Sequence, residues 1–329
     1  MKLKRLLAGF CCAALALGAF TGCQQNGGSS DGSYNVAIVQ LVDNGAFTEM
    51  REAFIQQMRD LGYTEDEMTF DVLNAQGDTS TLNSICADLN NQDYDLIVPI
   101  VTPATQAVVN AEPDAPVVFI SVTNPVNAGV MSSMEAPDKN ATGTSNIVPV
   151  DEIFGLMNTL TPDAQNIGIL YCSGEVNAVS TAQNAKDYLT ENGYTYDEVT
   201  VTNSSEVQQA AQSLASRVDA IYVPIDSTVQ TSMAQVVEAA TDNGIAVYGS
   251  DPVMVQSGAL ASASCSNTQL GQESAKMADQ ILQGTAVSDV PAIYMSDFQY
   301  VVNQDTANAL GITLPSDQGW SVITTEAQG

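Results

Sequence analysis

One stretch of this 329-residue chain occurs twice. NVAIVQLVDNGAFTEMREAFIQQMRDLGY (35–63) recurs in outline as NIGILYCSGEVNAVSTAQNAKDYLTENGY (166–194), DYDLIVPIVTPATQAVV (93–109) as VDAIYVPIDSTVQTSMA (218–234), and Asn124-Pro125-Val126 as Asp251-Pro252-Val253. The copies keep their order at nearly constant offsets of 131, 125 and 127 residues, which chance similarity between apolar runs does not produce. A duplicated unit constrains the fold strongly, because whatever one half builds the other half builds again.

Each copy reads strand, helix, strand, helix. In the first, 36–40 is a short β-branched run, followed by Phe47, Met50, Phe54, Met58 and Leu61, a spacing of three or four that stripes one helix face. Gly62 and, in the second copy, Gly193 are expected to end these helices, since glycine accepts the left-handed backbone of a C-terminal cap. The runs 96–100, 117–120, 167–170, 220–223 and 245–248 are apolar throughout rather than alternating, the pattern of parallel strands covered on both faces. The expected fold class is α/β, with two doubly wound parallel-sheet lobes. Ligands of open parallel sheets bind outside the carboxyl ends of the strands, so facing lobes would line one cleft.

Charge narrows the partners. Nine Lys+Arg stand against 38 Asp+Glu, a formal net charge of −29. Nucleic-acid affinity rests on basic residues neutralising phosphates, and recruitment to anionic lipid needs the same residues, so both are disfavoured. Lys2, Lys4 and Arg5 precede an apolar stretch at 6–20, a basic region and an apolar region of signal-peptide length and too short to span a bilayer, which takes about 20 residues. Phe20-Thr21-Gly22-Cys23 resembles the bacterial lipobox, with phenylalanine where leucine is commoner, and QQNGGSSDGS (24–33) has the composition of a flexible tether. Cys23 is the expected lipidation site. With Cys11 and Cys12 in the signal, Cys86, Cys172 and Cys265 remain. Their spacing fits no metal site, burial as small hydrophobes is expected, and a disulfide between two of them stays open.

There is no histidine, which removes the commonest general base and metal ligand. No nucleophile elbow, phosphate loop or dinucleotide fingerprint occurs, and the carboxylates at expected strand ends stand singly. No enzyme, metal or cofactor is expected. The strand-end loops carry Asp43 to Thr48, Thr102 to Thr105, Ser121 to Asn124, Cys172 to Asn177, Asp226-Ser227-Thr228 and Ser250-Asp251, without one lysine or arginine. Thr102 precedes Pro103, and proline favours the first helical position; a helix start with free N–H groups and a hydroxyl holds a carboxylate without a cation. Asp226 and Asp251, from the second repeat, offer negative charge to an ammonium. A carboxylate site in one lobe facing an ammonium site in the other describes an α-amino acid, although each aspartate also suits a helix N-cap.

From about 34 to 315 the chain resembles the ABC transporter substrate-binding lipoproteins of the tryptophan/tyrosine-binding type, which have the type I periplasmic-binding-protein fold. The resemblance is carried by Asn74-Ala75-Gln76-Gly77-Asp78, Thr102-Pro103-Ala104, Pro116-Val117-Val118-Phe119, Thr123-Asn124-Pro125-Val126, Gly174-Glu175-Val176-Asn177, the segment 201–226, Ser250-Asp251 and Ala309-Leu310-Gly311-Ile312. It implies an extracytoplasmic, membrane-anchored receptor that closes two lobes on a small ligand, an aromatic amino acid in characterised relatives, and docks on a permease driven by a cytoplasmic ATPase. It also implies a three-segment hinge near Ser145, Ser266 and Asp297, with the helix at about 268–283 returning to the N-terminal lobe. The expected divisions are 1–22 signal peptide, 23–33 lipidated cysteine and tether, 34–146 plus 267–296 N-terminal lobe, 147–266 plus 297–315 C-terminal lobe, and 316–329 tail.

The resemblance places Thr102, Thr123, Glu175, Asn177, Asp226 and Asp251 in motifs that line the cleft. Thr105, Asn124, Ser227 and Phe47 complete the candidate set, and Phe47 reads equally as a stacking partner for an aromatic ligand and as the first core residue of its helix. The chain departs from the family pattern at Asn44-Gly45-Ala46-Phe47-Thr48, where relatives often have His-Pro-Ala-Leu-Asp, and at Asn124, Cys172 and Ala178. A sugar, a nucleoside or another amine-bearing solute, and a ligand sensor without transport, are the alternative readings.

Overall fold

Runs of valine, isoleucine and leucine that admit no polar face need cover on both sides, and the fold supplies it twice. The structure is a computed structural model that describes residues 33–325; Cys23, the signal and the tether up to 32 lie outside the described residues. The first lobe runs β1 (Tyr34–Gln40), α1 (Gly45–Asp60), β2 (Met68–Asn74), α2 (Thr79–Asp88), β3 (Leu96–Pro99), α3 (Val101–Asn110), β4 (Val117–Phe119) and β5 (Ala141–Asn146). The second follows with α4 (Val150–Leu160), β6 (Asn166–Cys172), α5 (Val176–Glu191), β7 (Thr195–Val201), α6 (Val207–Ala215), β8 (Ala220–Val223), α7 (Ser227–Gln230), α8 (Met233–Asp242), β9 (Ala246–Gly249), α9 (Pro252–Gln256) and β10 (Ala261–Cys265). The chain closes with α10 (Asn267–Leu282), β11 (Ile293–Met295), β12 (Phe298–Asn303), α11 (Gln304–Ala309) and β13 (Ser321–Ile323).

The strands make two sheets, ordered β11-β5-β4-β3-β1-β2 and β13-β12-β10-β9-β8-β6-β7. All neighbours are parallel except β10 and β12. In the first sheet one face packs on α1 and α10 through Phe47, Met50, Phe54 and Leu270, the other on α2 and α3 through Leu82, Cys86, Ala104 and Val108. The second sheet repeats this, with Phe154 and Leu189 of α4 and α5 on one face and Leu214 and Val236 of α6 and α8 on the other. The chain passes between sheets after β5, between β10 and α10, and between β11 and β12.

The repeated helices end alike. Beyond α1, Gly62 (φ 106°) donates its N–H to the Arg59 carbonyl and Tyr63 to that of Met58; beyond α5, Gly193 (φ 81°) donates to Thr190 and Tyr194 to Leu189. Both are Schellman caps, with glycine at the left-handed position. Leu61, expected on the apolar stripe, is the cap residue instead and is 39% exposed, because the helix has ended before its side chain can turn inward. Cys86, Cys172 and Cys265 are buried free thiols. The stretch after 315, expected as a tail, contributes β13, which pairs with β12 from Val301↔Ser321 to Asn303↔Ile323.

The return of α10 to the first lobe depends on Gly271, where α10 presses on α1. A Cβ there would strike the carbonyl oxygen of Met50 and the backbone of Phe54. Gly271→Ala is expected to lower stability by about 1–3 kcal/mol, the usual cost of overpacking, despite alanine's better helix propensity of about 1 kcal/mol. Urea unfolding of the two proteins tests this, and an unchanged midpoint would mean that α10 is not held at this distance.

Candidate functional site

In each sheet the winding direction reverses once, between β1 and β3 in the first lobe and between β6 and β8 in the second. At such a reversal the connections leave to opposite faces, opening a crevice at the carboxyl ends of the strands. The two crevices face one another, for α3 touches α5 and α1 touches α9 across the interface. Gly45 at the start of α1 lies so close to Val253 of α9 that a Cβ on it would come within 2.9 Å of the valine side chain.

The first-lobe wall is built on a strained backbone. Val101 (φ 60°) and Ser121 (φ 64°), each just beyond the end of its strand, are left-handed, an outlying conformation for a β-branched residue that costs about 1–3 kcal/mol. The two ends are joined by a bridge between Ile100 and Ile120. The kink turns β3 directly into α3, which begins at Val101 with no side chain capping it. Pro103 is therefore the third helical residue rather than the first, still within the turn whose N–H groups lack helical partners. The hydroxyl of Thr102 accepts the Thr123 N–H (3.2 Å) and keeps its own proton to donate. Ser121 Oγ is buried with no hydrogen-bond partner.

The second-lobe wall is acidic. Asp226, 1% exposed, caps α7 by accepting the Val229 N–H (2.7 Å), and its other oxygen accepts the Cys172 N–H. Asp251, 2% exposed, caps α9 through Val253 N–H (2.8 Å), with Gln230 at 3.4 Å on the same Oδ1. Glu175 precedes α5 without capping it; its carboxylate instead accepts both Ser227 N–H (3.0 Å) and Thr228 N–H (2.9 Å) at the start of α7. None of the ion pairs among the described residues involves these three acids. Burial, and then the neighbouring Glu175 carboxylate, holds Asp226 well above the ordinary carboxylate range. Burial likewise pushes Asp251 up to about 6, against the lowering effect of the Val253 N–H. Asn177 donates to the Ile225 carbonyl (2.9 Å), while its buried Oδ1 has no partner.

The walls enclose an inner cavity lined by Phe47, Thr102, Ser121, Thr123, Asn177, Asp226, Ser227, Gln230 and Asp251 among others. Its volume is about 10 Å3, room for about one water. Outside it lies a mouth cavity of about 560 Å3, also between the lobes, lined by residues that include Leu41, Leu82, Pro103, Ala107, Glu175, Ser227 and Thr228. Of the candidate residues, Thr102, Thr123, Asn177, Asp226, Ser227, Asp251 and Phe47 meet at the inner cavity, and Glu175 faces the mouth. Thr105 and Asn124 line neither: the Thr105 hydroxyl donates to the Val101 carbonyl (2.7 Å) within its own helix, and Asn124 is an exposed turn residue that accepts the Asn127 N–H. Ser121 and Gln230 enter the inner wall without having been in the candidate set. Ser121 lay in a loop already marked, whereas Gln230, at the far end of α7, carries no signal in the sequence.

A family described as ABC transporter substrate binding protein matches residues 35–319. A tyrosine-binding protein from Clostridioides difficile (strain R20291) is 35% identical over 321 residues, covering 94% of this chain and 93% of the relative. The crystal structure of an ABC domain from Streptococcus pneumonia in complex with L-Trp superposes with a TM-score of 0.85 at 30% identity, covering 88% of this chain and all of that one. The ligand-free, open structure of a substrate binding protein with adhesive properties from Clostridium difficile is 36% identical, over 89% of this chain and all of that one, yet superposes at only 0.69. The lobes here are thus arranged more as in the L-Trp complex than as in the open protein. With two parallel-sheet lobes, three crossings and strand ends facing across one cleft, the chain belongs to the ABC transporter substrate binding protein family and has the type I periplasmic-binding-protein fold.

Proposed function

We propose that the protein captures an α-amino acid, with tyrosine, tryptophan or phenylalanine favoured, between its lobes and delivers it to an ABC permease from a lipid anchor on Cys23 outside the cytoplasmic membrane. The observation that carries the reading is a buried acidic wall without a cation, facing hydroxyls and an uncapped helix start. An ammonium supplies the charge that Asp226 and Asp251 lack and a donor for Asn177 Oδ1. A carboxylate takes the proton of Thr102 and the open N–H groups of α3. Each buried polar atom left unpaired costs about 1–3 kcal/mol, so a zwitterion gains by satisfying them. The tyrosine-binding and L-Trp-bound relatives support an aromatic side chain.

The deciding experiment is thermal unfolding of the protein from residue 24 onward against the twenty amino acids, sugars and nucleosides. A ligand at 100 times its dissociation constant adds about 2.7 kcal/mol, worth a few degrees. A shift with aromatic amino acids is expected, and Asp251→Asn should weaken their binding by about 1.5–3 kcal/mol, the worth of a hydrogen bond to a charged group. A response to sugars or nucleosides alone would remove the zwitterion reading.

Binding is expected to depend on pH with a definite sign. The raised Asp226 and Asp251 carboxyls hold protons more readily in the folded than in the unfolded chain, so their burial costs little stability below about pH 4 and progressively more as pH rises through their folded values. An ammonium favours the ionised forms. Affinity should therefore fall between pH 8 and pH 5, and calorimetry at pH 7 in buffers of different ionisation enthalpy should register proton release on binding, reduced in Asp226→Asn. Binding without proton exchange would mean that the ammonium does not sit against these groups. Separately, Cys23→Ser should shift the protein from the membrane to the soluble fraction with unaltered ligand affinity; continued fractionation with membranes would rule out the lipid anchor.

A further inference from the structure

The inner cavity and the mouth differ too much in size to share a ligand evenly. At about 10 Å3 the inner cavity takes a group no larger than a water, which an ammonium is and an aromatic ring is not. The mouth, at about 560 Å3, falls within the range of ligand pockets, roughly 300–1,000 Å3. Ser227 borders both spaces, and Thr102 of the inner wall is followed directly by Pro103 of the mouth. Phe47 lines the inner cavity but not the mouth, and at 2% exposed, packed in the first-lobe core with Met50 and Phe54, it offers no face to a ring lying in the mouth.

We propose, resting on the amino-acid reading above, that the mouth is the side-chain subsite. The ligand's ammonium lies in the inner cavity, its carboxylate stands where the two spaces meet, beside Thr102 and Ser227, and its side chain runs outward along the wall of Leu41, Leu82, Pro103 and Ala107. Its far end reaches the side-chain amides of Asn83 and Asn110 at the rim. The first-lobe wall is apolar while the facing second-lobe wall carries hydroxyls such as those of Thr202, Ser204 and Thr228, so the mouth takes a long side chain with an apolar face and a hydrogen-bonding atom, such as a phenol or ether oxygen, level with the rim amides. Its only charged lining residue, Glu175, is already engaged by α7, so neither a cationic nor an anionic side chain gains a partner. Since both Asn83 and Asn110 are exposed, the subsite has no far wall, and it accepts L-α-amino acids whose rings are extended at the end remote from the head group.

The test is titration calorimetry with L-tyrosine, L-tryptophan, L-phenylalanine and O-benzyl-L-tyrosine against the wild type, Ala107→Trp and Asn83→Trp. O-benzyl-L-tyrosine is expected to bind within about tenfold of the best natural ligand, and Ala107→Trp to weaken that ligand by about tenfold or more, a change of some 1.4 kcal/mol. Asn83→Trp, on an exposed helix face, carries the test should Ala107→Trp not fold. Exclusion of O-benzyl-L-tyrosine, with the mouth variants silent, overturns the mouth subsite and leaves amino-acid capture standing. Failure of the wild type to bind any of the natural ligands overturns both.

Discussion

Taking a carboxylate out of water without a cation is costly, and this chain does it three times in one place. Glu175, Asp226 and Asp251 are each at most 5% exposed. What makes this tolerable is the helix start. Asp226 and Asp251 receive the first N–H groups of α7 and α9, and Glu175 those of α7 as well. These donors are fixed and need no titratable partner. The arrangement holds the acids in position while leaving the charge incompletely answered, and the raised Asp226 and Asp251 record that residue of cost.

The same economy of cations runs through the strands from which the chain passes between the sheets. β5 and β10 read ATGTSN and ASASC and are buried along their whole length. The small side chains of β5 let α10 approach closely, and hydroxyls tie it down: Thr144 Oγ1 and Ser274 Oγ lie 2.9 Å apart, and Ser274 donates to the Phe119 carbonyl. The Thr142 hydroxyl donates to the carbonyl of Val290 beyond α10. Thr144 Oγ1 also accepts the Ser121 N–H (3.1 Å), so the element that carries the chain between lobes helps hold the left-handed turn of the ligand wall.

Much of this was legible beforehand because its causes are local or periodic. The duplication, the both-faces-covered strands, the glycine caps and the strand-end loops follow from apolar runs, a spacing of 3.6 and the backbone preferences of glycine. What was hard to read had a physical reason in each case. β5 and β10 lack the bulky apolar residues by which buried strands are recognised. β13 is three residues long, and nothing in its composition says that β12 will pair with it. Thr105 and Thr102 are three apart near one helix start, and only the packing of α3 decides that one hydroxyl faces the cleft and the other its own helix.

The sequence by itself determined the α/β class, the two repeats, the strand ends as the place for a site, and a site without lysine, arginine or histidine, because these depend on composition and on patterns within one segment. The tertiary structure alone decided that Asp226, Asp251 and Asn177 oppose Thr102 and Ser121, that Gln230 joins them, that Glu175 serves α7 instead of its own helix, and that the larger space between the lobes lies at the mouth. Those outcomes depend on the angle at which two sheets more than a hundred residues apart in sequence meet, and no local pattern encodes that angle.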